Sequence, residues 1–293
     1  MPNNNEPLAS RGPRAPSPGD RILVIRPGKS DREYWKDLWR YRELFMILAL
    51  RDVAVRYKQT IIGVLWAILR PLLTMFVFTI VFGKIAGLPS DGDAPYALMV
   101  FSAMLPWTLF SASLSEASNS LIGNANLISK VYFPRMIVPV ATLATAFVDF
   151  LISFVILLAL MLYYQFAPGW KILLLPFFTL MALLTSVGPG LWISAMNVQY
   201  RDFRYLIPFI VQFGLYISPV GFSSGVIPEH WRLLYSLNPM VGVIDGFRWC
   251  ILDGVESTLY LPVFLLSLAI IAFFLWLGVS RFRKMEKSFA DLI

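Results

Sequence analysis

This 293-residue sequence has one cysteine, one histidine and few charged residues. A single thiol, Cys250, cannot form a disulfide within the chain, and one histidine offers no obvious set of metal ligands. The sequence also contains no GxxxxGK[ST] phosphate loop, no GxGxxG turn, no HExxH pair and no paired cysteines. We therefore expect neither a nucleotide-hydrolysing site nor a cofactor in this chain.

The chain is instead rich in apolar residues. The chain is 57% hydrophobic and 15% aromatic, and its mean hydropathy is +0.66. Such values are typical of membrane proteins rather than soluble domains. The net charge of +7 does not indicate nucleic-acid binding, because the lysines and arginines cluster beside apolar runs. Cytoplasmic loops and anionic membrane lipid explain them instead.

The run at 51–83, RDVAVRYKQTIIGVLWAILRPLLTMFVFTIVFG, predicts the orientation of the chain. Arg51, Arg56 and Lys58 precede an apolar stretch that is long enough to cross hydrocarbon as a helix. Cations beside the first apolar run place that end in the cytoplasm. No cleavable signal peptide is expected, because the run begins about sixty residues into the chain.

Five further apolar segments follow. With the first, they predict an all-α membrane protein with six transmembrane helices and both termini in the cytoplasm. The positive-inside rule supports this topology, since the predicted cytoplasmic segments contain twenty of the 25 lysines and arginines. The approximate bounds of the five segments are 96–121, 137–164, 172–196, 205–222 and 260–279.

The segment before the first span has two parts. Residues 1–30 are rich in Pro, Asn, Gly and Arg and predict a disordered cytoplasmic tail. From residue 31 to about 50, apolar and aromatic residues recur every three or four positions. This pattern predicts an amphipathic helix on the cytoplasmic membrane surface, with packing against another protein domain as the alternative. The predicted units are the tail at 1–30, the interface helix and its lead-in at 31–58, the membrane domain at 59–281 and a cytoplasmic tail at 282–293.

Residues 223–258, between the fifth and sixth spans, are too apolar for an ordinary loop. Their apolar pieces, 231–237 and 240–252, are too short to cross a bilayer. Asn238 and Pro239 predict a turn between the pieces. We interpret them as two short external re-entrant helices that form a gate or exit lining. A purely structural pair lying on the membrane surface is the alternative.

The cytoplasmic loop at 122–136, IGNANLISKVYFPRM, has more apolar residues than a linker needs. Asn124 and Asn126 are candidate caps of a short helix, and Pro134 is a candidate stop. A short amphipathic helix that faces the cytosol is suited to bind a groove on a soluble partner. A helix lying at the lipid interface would give the same pattern.

Three ionisable residues, Arg70, Glu116 and Asp149, lie within predicted spans, where such residues usually mark ion coupling. Glu116 belongs to the polar stretch SASLSEASNS, which predicts a helix that faces water or protein on that side. The two carboxylates therefore predict either an ion-coupling site or pairing with neighbouring helices.

The sequence contains four notable segments: RYKQTIIGVLWAILRPLLTMFVFTIVFG, NANLISKVYFPR, NVQYRDFRYLIPF and SLNPMVGVIDGFRW. Together they resemble the membrane subunit of bacterial ABC-2-type polysaccharide exporters, the permeases for O-antigen, capsule and teichoic acid. The resemblance extends from about residue 31 to the end of the chain. It implies a homodimer that works with two copies of a separate ATPase, which binds the ATP and Mg. A lipid-linked glycan would cross the bacterial inner membrane at the dimer interface.

The resemblance also implies roles for the segments described above. Residues 31–50 become the interface helix, 124–135 the ATPase-contacting helix, 199–204 a second cytoplasmic contact and 225–252 the external gate. The implied ATPase-coupling residues are Asn126, Leu127, Ile128, Lys130, Tyr132, Phe133, Arg135, Arg201 and Asp202. The candidates for the channel or its gate are Tyr57, Trp66, Trp107, Phe110, Glu116, Asp149, Trp231, Asn238 and Pro239.

Three other functions stay open at this point. An ABC-2 exporter could carry a drug or a small lipid instead of a glycan. An ion-coupled secondary transporter would rely on Glu116 and Asp149. A membrane glycosyltransferase or flippase component would use carboxylates on the outer loops, which are Asp91, Asp93, Asp245 and Asp253.

Overall fold

The computed structural model describes residues 31–58, 61–200, 202–252 and 260–289. Within them every regular element is helical, which confirms the predicted all-α class. The predicted tail at 1–30 lies outside the described residues. In chain order the helices are α1 (Asp31–Arg40), α2 (Arg42–Tyr57), α3 (Ile61–Phe78), α4 (Tyr96–Gly123), α5 (Ala125–Lys130), α6 (Ile137–Ala141), α7 (Leu143–Tyr163), α8 (Leu175–Gln199), α9 (Phe203–Ile217), α10 (Glu229–Tyr235), α11 (Pro239–Ile251) and α12 (Leu261–Met285).

Five helical stretches among the described residues are long and apolar enough to cross a membrane. They correspond to five of the six predicted spans. A π-helical turn, Thr79–Ile85, lengthens the first, and a 3-10 turn, Trp170–Leu174, lengthens the fourth. The five stretches are Leu65–Ile85, Tyr96–Gly123, Ile137–Tyr163, Trp170–Gln199 and Leu261–Met285.

The predicted span at 205–222 is wrong in its extent, because α9 ends at Ile217. Fifteen residues extend about 22 Å at 1.5 Å per residue. That is less than the roughly 30 Å of a hydrocarbon core. Pro219 favours an end at this point, because a proline disfavours the helical conformation in the residue before it, although α9 accommodates Pro208 within its length. Ser218 accordingly has extended angles, φ −78° and ψ 153°.

The predicted amphipathic helix at 31–50 is divided into α1 and α2 by a break at Tyr41 (φ −88°, ψ 20°). On this pair, Tyr34, Leu38 and Phe45 pack against the rest of the protein. Trp39, by contrast, is 73% exposed. The amphipathic pattern therefore corresponds to one face buried on protein and one face left open.

The central helix of the fold is α4. It is mostly buried, and it packs chiefly against α8 and α7, while α8 packs against α12. α4 also contacts α11, and the loop before α4 meets α11 through the Asp91–Arg248 pair; at its other end α4 leads through Asn124 into α5. We call these opposite ends of the molecule the α11 end and the α5 end. Because α4 contacts elements at both, it is the structural connection between them.

Two apolar cores lie along α4. The larger joins α4, α7, α8 and α11 around residues such as Phe101, Phe178 and Phe247. The smaller lies at the α5 end, where Ile128 and Phe133 meet Phe282 of α12. Several hydroxyl side chains inside the helices bond to their own backbone, as Thr185 does to the Met181 carbonyl oxygen (2.7 Å), which satisfies these groups in an apolar medium.

A glycine contact brings α8 and α12 together. A Cβ added to Gly278 would lie 2.0 Å from the Gly188 carbonyl oxygen, and one added to Gly188 would lie 2.5 Å from the Phe274 carbonyl oxygen. Small residues allow such close backbone approach between membrane helices. The close approach of α8 and α12 therefore depends on the missing side chains at these two positions.

We predict that Gly188→Ala and Gly278→Ala each destabilise the protein, because α8 and α12 would have to separate. Overpacking of this kind costs about 1–3 kcal/mol or more. The measurement is the apparent melting temperature of the detergent-solubilised protein by size-exclusion chromatography. Gly123→Ala is the matched control, since nothing lies within 4 Å of its added Cβ. Melting temperatures equal to the parent in both glycine variants would refute the contact.

Candidate functional site

The segment after α4 begins with the short helix α5 and ends in a non-helical stretch that starts at Val131 (φ −127°, ψ 134°). The predicted helix at 124–135 is therefore too long. Asn124 occupies the predicted cap position of α5, but its side chain makes no capping bond to the helix. Its Nδ2 donates to the Ser120 carbonyl oxygen (2.9 Å), and its Oδ1 accepts from Arg51 Nη2 (2.8 Å). Asn124 thus joins the end of α4 to α2.

The 125–133 segment has an exposed face and a buried face. Val131 and Tyr132 are about half exposed (50% and 49%), whereas Ile128 and Phe133 are buried in the α5-end core. Asn126 and Lys130 are also exposed, and Leu127 is half-buried. The proposed coupling residues therefore divide into an anchor that holds the segment and a surface that a partner can reach.

Arg135 is held in place by the residue that follows α12. Its backbone N–H donates to Glu286 Oε1 (2.8 Å), and its Nη1 donates to the Glu286 carbonyl oxygen (2.5 Å). Its guanidinium carbon lies 5.8 Å from the centre of the Phe289 ring. Arg135 is thus an internal tie between the 125–136 segment and the end of the chain, a role that the sequence did not suggest.

The same tie reaches the N-terminal helices. Arg283 lies over the Tyr34 ring at 4.6 Å from its centre. Burial raises the pKa of Glu286, while the hydrogen bond from Arg135 opposes the rise. Burial and the nearby Glu286 carboxylate raise the pKa of Tyr34. These contacts join α1, α12 and the 125–136 segment, which we call the α5 segment, although 151 positions separate Arg135 from Glu286.

The predicted second cytoplasmic contact, at 199–204, lies only partly within the described residues. Arg201 lies outside the described residues. Asp202 is exposed at the start of α9, where its side chain makes no capping hydrogen bond.

The two carboxylates inside the predicted spans meet one arginine. Arg56 Nη1 bonds to Glu116 of α4, and Arg56 Nη2 lies 2.7 Å from Asp149 Oδ2 of α7. The Tyr57 hydroxyl donates to Asp149 Oδ1. The cluster lies about two helical turns from the end of α4, given seven residues from Glu116 to Gly123. It ties the end of α2 to both transmembrane helices.

The aromatic candidates for the channel lie in different environments. Trp66 on α3 is 61% exposed. Trp107 is buried and packs 5.4 Å from Phe110, centre to centre, and a Cβ on Gly214 would lie 2.7 Å from it. Phe110 is partly buried against the larger core. In this structure Trp107 therefore fills a space between α4 and α9.

The two short helices predicted at the opposite end are present as α10 and α11. The Asn238 side chain caps α11 by accepting from the Met240 N–H (3.1 Å), and its Nδ2 donates to Ser218 Oγ (2.8 Å). Pro239 occupies the first turn, where its missing N–H costs nothing. Trp231 of α10 is 54% exposed, while most of α11 is buried.

Arg248 on α11 is the main polar connection at this end. Its side chain is 1% exposed, its Nη1 donates to the Phe222 carbonyl oxygen (2.9 Å), and its Nη2 donates to that of Val220 (3.2 Å). Its Nε lies 3.7 Å from Asp91 Oδ2. Burial lowers the pKa of Arg248, and Asp91 opposes that shift. One side chain thus joins α11, the end of α9 and the loop before α4.

We predict that Arg56→Ala lowers the apparent melting temperature of the purified protein, because two carboxylates lose their partner. A hydrogen bond to a charged group contributes about 1.5–3 kcal/mol. Adding Glu116→Gln and Asp149→Asn to this variant should restore part of the loss, since no unpaired charge then remains. Lys58→Ala removes an exposed cation from the same segment and is the control. Equal melting of the Arg56 and Lys58 variants would contradict the ion-pair role.

The chain is similar to known membrane transport proteins. The ABC-2 type transporter family matches residues 43–252. An O-antigen export system permease protein RfbA from Klebsiella pneumoniae is 25% identical over 260 residues, 86% of this chain and 95% of that protein. The protein of the same name from Myxococcus xanthus is 26% identical over 264 residues, 88% and 98% of the two chains. An inner membrane transport permease, YadH, from Escherichia coli strain K12 is 24% identical over 231 residues, 74% and 88%.

The family match extends from α2 to the residue after α11, so it contains the α5 segment, the ion-paired cluster and both short helices. It covers well over half of the chain. The length and apolar character of five helices agree with it. This chain therefore belongs to the ABC-2 type transporter family of membrane proteins.

Proposed function

We propose that this chain is the permease subunit of an inner-membrane exporter that moves a lipid-linked, O-antigen-like polysaccharide and is powered by a separate ATPase. The observation that carries the cargo class is the match to O-antigen export permeases over 95% and 98% of their lengths. A match along nearly the whole chain includes both ends of the helical bundle rather than one shared motif.

The energy source is proposed to be an ABC ATPase that binds the α5 segment. ABC-2 permeases work with an ATPase subunit, and this sequence contains no phosphate loop of its own. The half-exposed Val131 and Tyr132 provide the contact surface. Two permease chains and two ATPase chains would form the complex, with ATP and Mg held by the ATPases. The permease alone would then not be an enzyme.

The anchors of the α5 segment make it suited to transmit force. Ile128 and Phe133 are buried and Arg135 is bonded to Glu286, so a push on this segment would move the surrounding helices with it. The central helix α4 extends from α5 to α11. We suggest that ATP-driven closure of the ATPases shifts α3 and α9 and opens a path past α10 and α11.

The membrane topology follows from the same proposal. We place the α5 end in the cytoplasm, with both termini, because most lysines and arginines fall on the loops of that side. The sixth crossing would be α9 together with the non-helical residues 218–222. Non-helical backbone is tolerated at membrane depth where protein satisfies it. In residues 218–222, the Val220 and Phe222 carbonyl oxygens accept hydrogen bonds from Arg248, and the Gly221 carbonyl oxygen accepts one from the Tyr96 hydroxyl (2.5 Å).

A second copy of the chain is proposed to cover α3 and α9. Both helices have large exposed apolar and aromatic side chains, including Trp66, Phe76 and Phe209. Arg70 of α3 is exposed as well. A charged side chain within a spanning helix is costly against lipid, so a protein or water-filled surface fits this face better. The glycan path would lie between the two copies.

Ion-coupled transport is less well supported. Glu116 and Asp149 both pair with Arg56. A carboxylate that is already satisfied by an arginine is a poor carrier of a translocated proton, because protonation would break the ion pair. Export of a drug or small lipid fits the fold equally well, and the cargo assay below distinguishes it.

We predict that deleting this gene from its native host removes a polysaccharide from the cell surface and leaves it lipid-linked inside the cell. The measurement compares lectin or antibody staining of intact and permeabilised cells. Complementation with the wild-type gene is the first control. Unchanged surface polysaccharide in the deletion strain would contradict the proposed cargo.

Complementation with Val131→Glu tests the coupling surface in the same strain. The substitution places a charge on an exposed site, where folding energies change by about 0.5 kcal/mol or less. We expect normal membrane abundance by immunoblot but no export. Val131→Ile keeps the apolar surface and should restore export. Full export by the glutamate variant would count against α5 as the ATPase contact.

A further inference from the structure

A cavity of about 390 Å³ lies at the α11 end. Its walls come from four parts of the chain: the loop before α4, the loop before α10, the α10–α11 pair and the start of α12. The volume falls within the range of small-molecule sites. The side chains that matter below are Asp91, Ser224, Arg232, Tyr235, Asp245 and Tyr260.

Two carboxylates in this cavity each have an oxygen that accepts no hydrogen bond from the described residues, although Asp91 Oδ2 faces Arg248 Nε at 3.7 Å. Asp245 is 4% exposed and Asp91 is 6% exposed. Asp245 Oδ1 and Asp91 Oδ2 have no hydrogen-bond partner within the described part of the chain. Buried polar atoms are normally paired, because leaving one unpaired costs about 1–3 kcal/mol. Both carboxylates line the cavity, so a ligand there can supply the missing donors.

Three hydroxyl groups around them donate their protons to the backbone, whereas Ser224 hydrogen-bonds to the Asp245 carboxylate. Tyr235 donates to the Ile217 carbonyl oxygen (2.7 Å), Ser236 to that of Arg232 (2.5 Å) and Ser90 to that of Ala94 (2.7 Å). Their oxygens can still accept a hydrogen bond. The cavity wall is therefore rich in acceptors, and the complementary ligand is rich in O–H donors.

The charges around the cavity favour a neutral ligand. Arg232 lines the cavity and Arg248 lies behind its wall. The positive charges of these two arginines balance the negative charges of the two carboxylates. A metal ion is disfavoured, since the described residues contain no cluster of three or more His, Cys, Asp or Glu able to hold one. Burial raises the pKa of Asp245 to about 7, against the opposing charge of Arg248. A carboxyl group that is partly neutral at physiological pH does not need a cationic partner.

From this geometry we infer that the cavity is a sugar-binding site, which takes a neutral, hydroxyl-rich unit of the polysaccharide at the exit side of the permease. Asp91 and Asp245 accept hydrogen bonds from its hydroxyl groups. The half-exposed ring of Tyr260 offers an aromatic surface at the wall for the apolar face of a sugar ring. This site rests on the proposed export function, since the ligand is part of the exported glycan.

The site is tested by protecting an introduced thiol. Ser224 lines the cavity, so Ser224→Cys places a reporter there. Burial raises the pKa of the native Cys250 thiol to about 12, so it reacts little with maleimide. The probe is the polysaccharide released by mild acid from the host's own cell surface, added to the purified permease complex in nanodiscs. Asp93→Cys, on an exposed part of the neighbouring loop, is the control reporter.

We expect saturating polysaccharide to slow maleimide labelling of the Ser224→Cys protein by about fivefold or more, as mass action requires of an occupied site. Labelling of the Asp93→Cys protein should not change. Adding Asp245→Asn to the Ser224→Cys protein should raise the polysaccharide concentration needed for half-maximal protection by about tenfold. Adding Asp93→Asn should leave that concentration unchanged. Equal labelling of Ser224→Cys with and without polysaccharide would overturn the site, whatever the fate of the asparagine variants.

The two proposals fail in distinguishable ways. Loss of surface polysaccharide in the deletion strain, combined with no protection of Ser224→Cys, would refute the sugar site and leave the export function intact. Protection of Ser224→Cys with normal surface polysaccharide in the deletion strain would support the site and refute the export function. A melting temperature close to the parent for Asp245→Asn would show that any loss of protection does not come from misfolding.

Discussion

Charged groups inside a helical bundle in a membrane must be paired with other protein groups, because the surrounding hydrocarbon offers neither hydrogen-bond partners nor opposite charges. Two arginines meet this requirement at opposite ends of the molecule. Arg56 pairs with Glu116 and Asp149 and holds α2 against two spanning helices. Arg248 binds the carbonyl oxygens that follow α9 and lies beside Asp91. The positions of the peripheral helices depend on these two polar connections.

Apolar and small-residue packing joins the two ends. The buried central helix α4 leaves little room for one end to move alone, and the Gly188–Gly278 contact brings α8 and α12 close beside it. The α5 segment is anchored by Phe133 and by the tie between Arg135 and Glu286. A force applied at α5 therefore acts on a connected body rather than on a loose loop. This is the property that an ATPase-driven permease requires.

Much of this architecture follows from local sequence pattern. Apolar runs of sufficient length predicted five of the helices that could span a membrane, and the Asn238–Pro239 turn predicted the division between α10 and α11. The end of α9 was not predicted, although it coincides with Pro219; proline alone does not mark it, because Pro208 lies inside the same helix. The prediction missed it because the apolar run continues to Phe222.

The long-range polar contacts were not predictable in the same way. The sequence identified Glu116 and Asp149 as unusual, but it gave no sign that Arg56 reaches both. Nor did it relate Arg135 to Glu286 or Asp91 to Arg248. Hydrophobic period specifies which face of a helix is apolar, whereas the rotation and neighbours of each helix are decided by packing across the whole chain. The candidate sugar site also depends on this long-range packing, so the sequence alone did not reveal it.

The central claim is that a separate ATPase drives this permease through the α5 segment. The most direct measurement is purification of the tagged chain from its native host in mild detergent, with quantitative mass spectrometry of what accompanies it. The account predicts an ABC ATPase in a one-to-one ratio with the permease, lost when Val131 is replaced by glutamate. Intact permease that exports its cargo without any associated ATPase would contradict it.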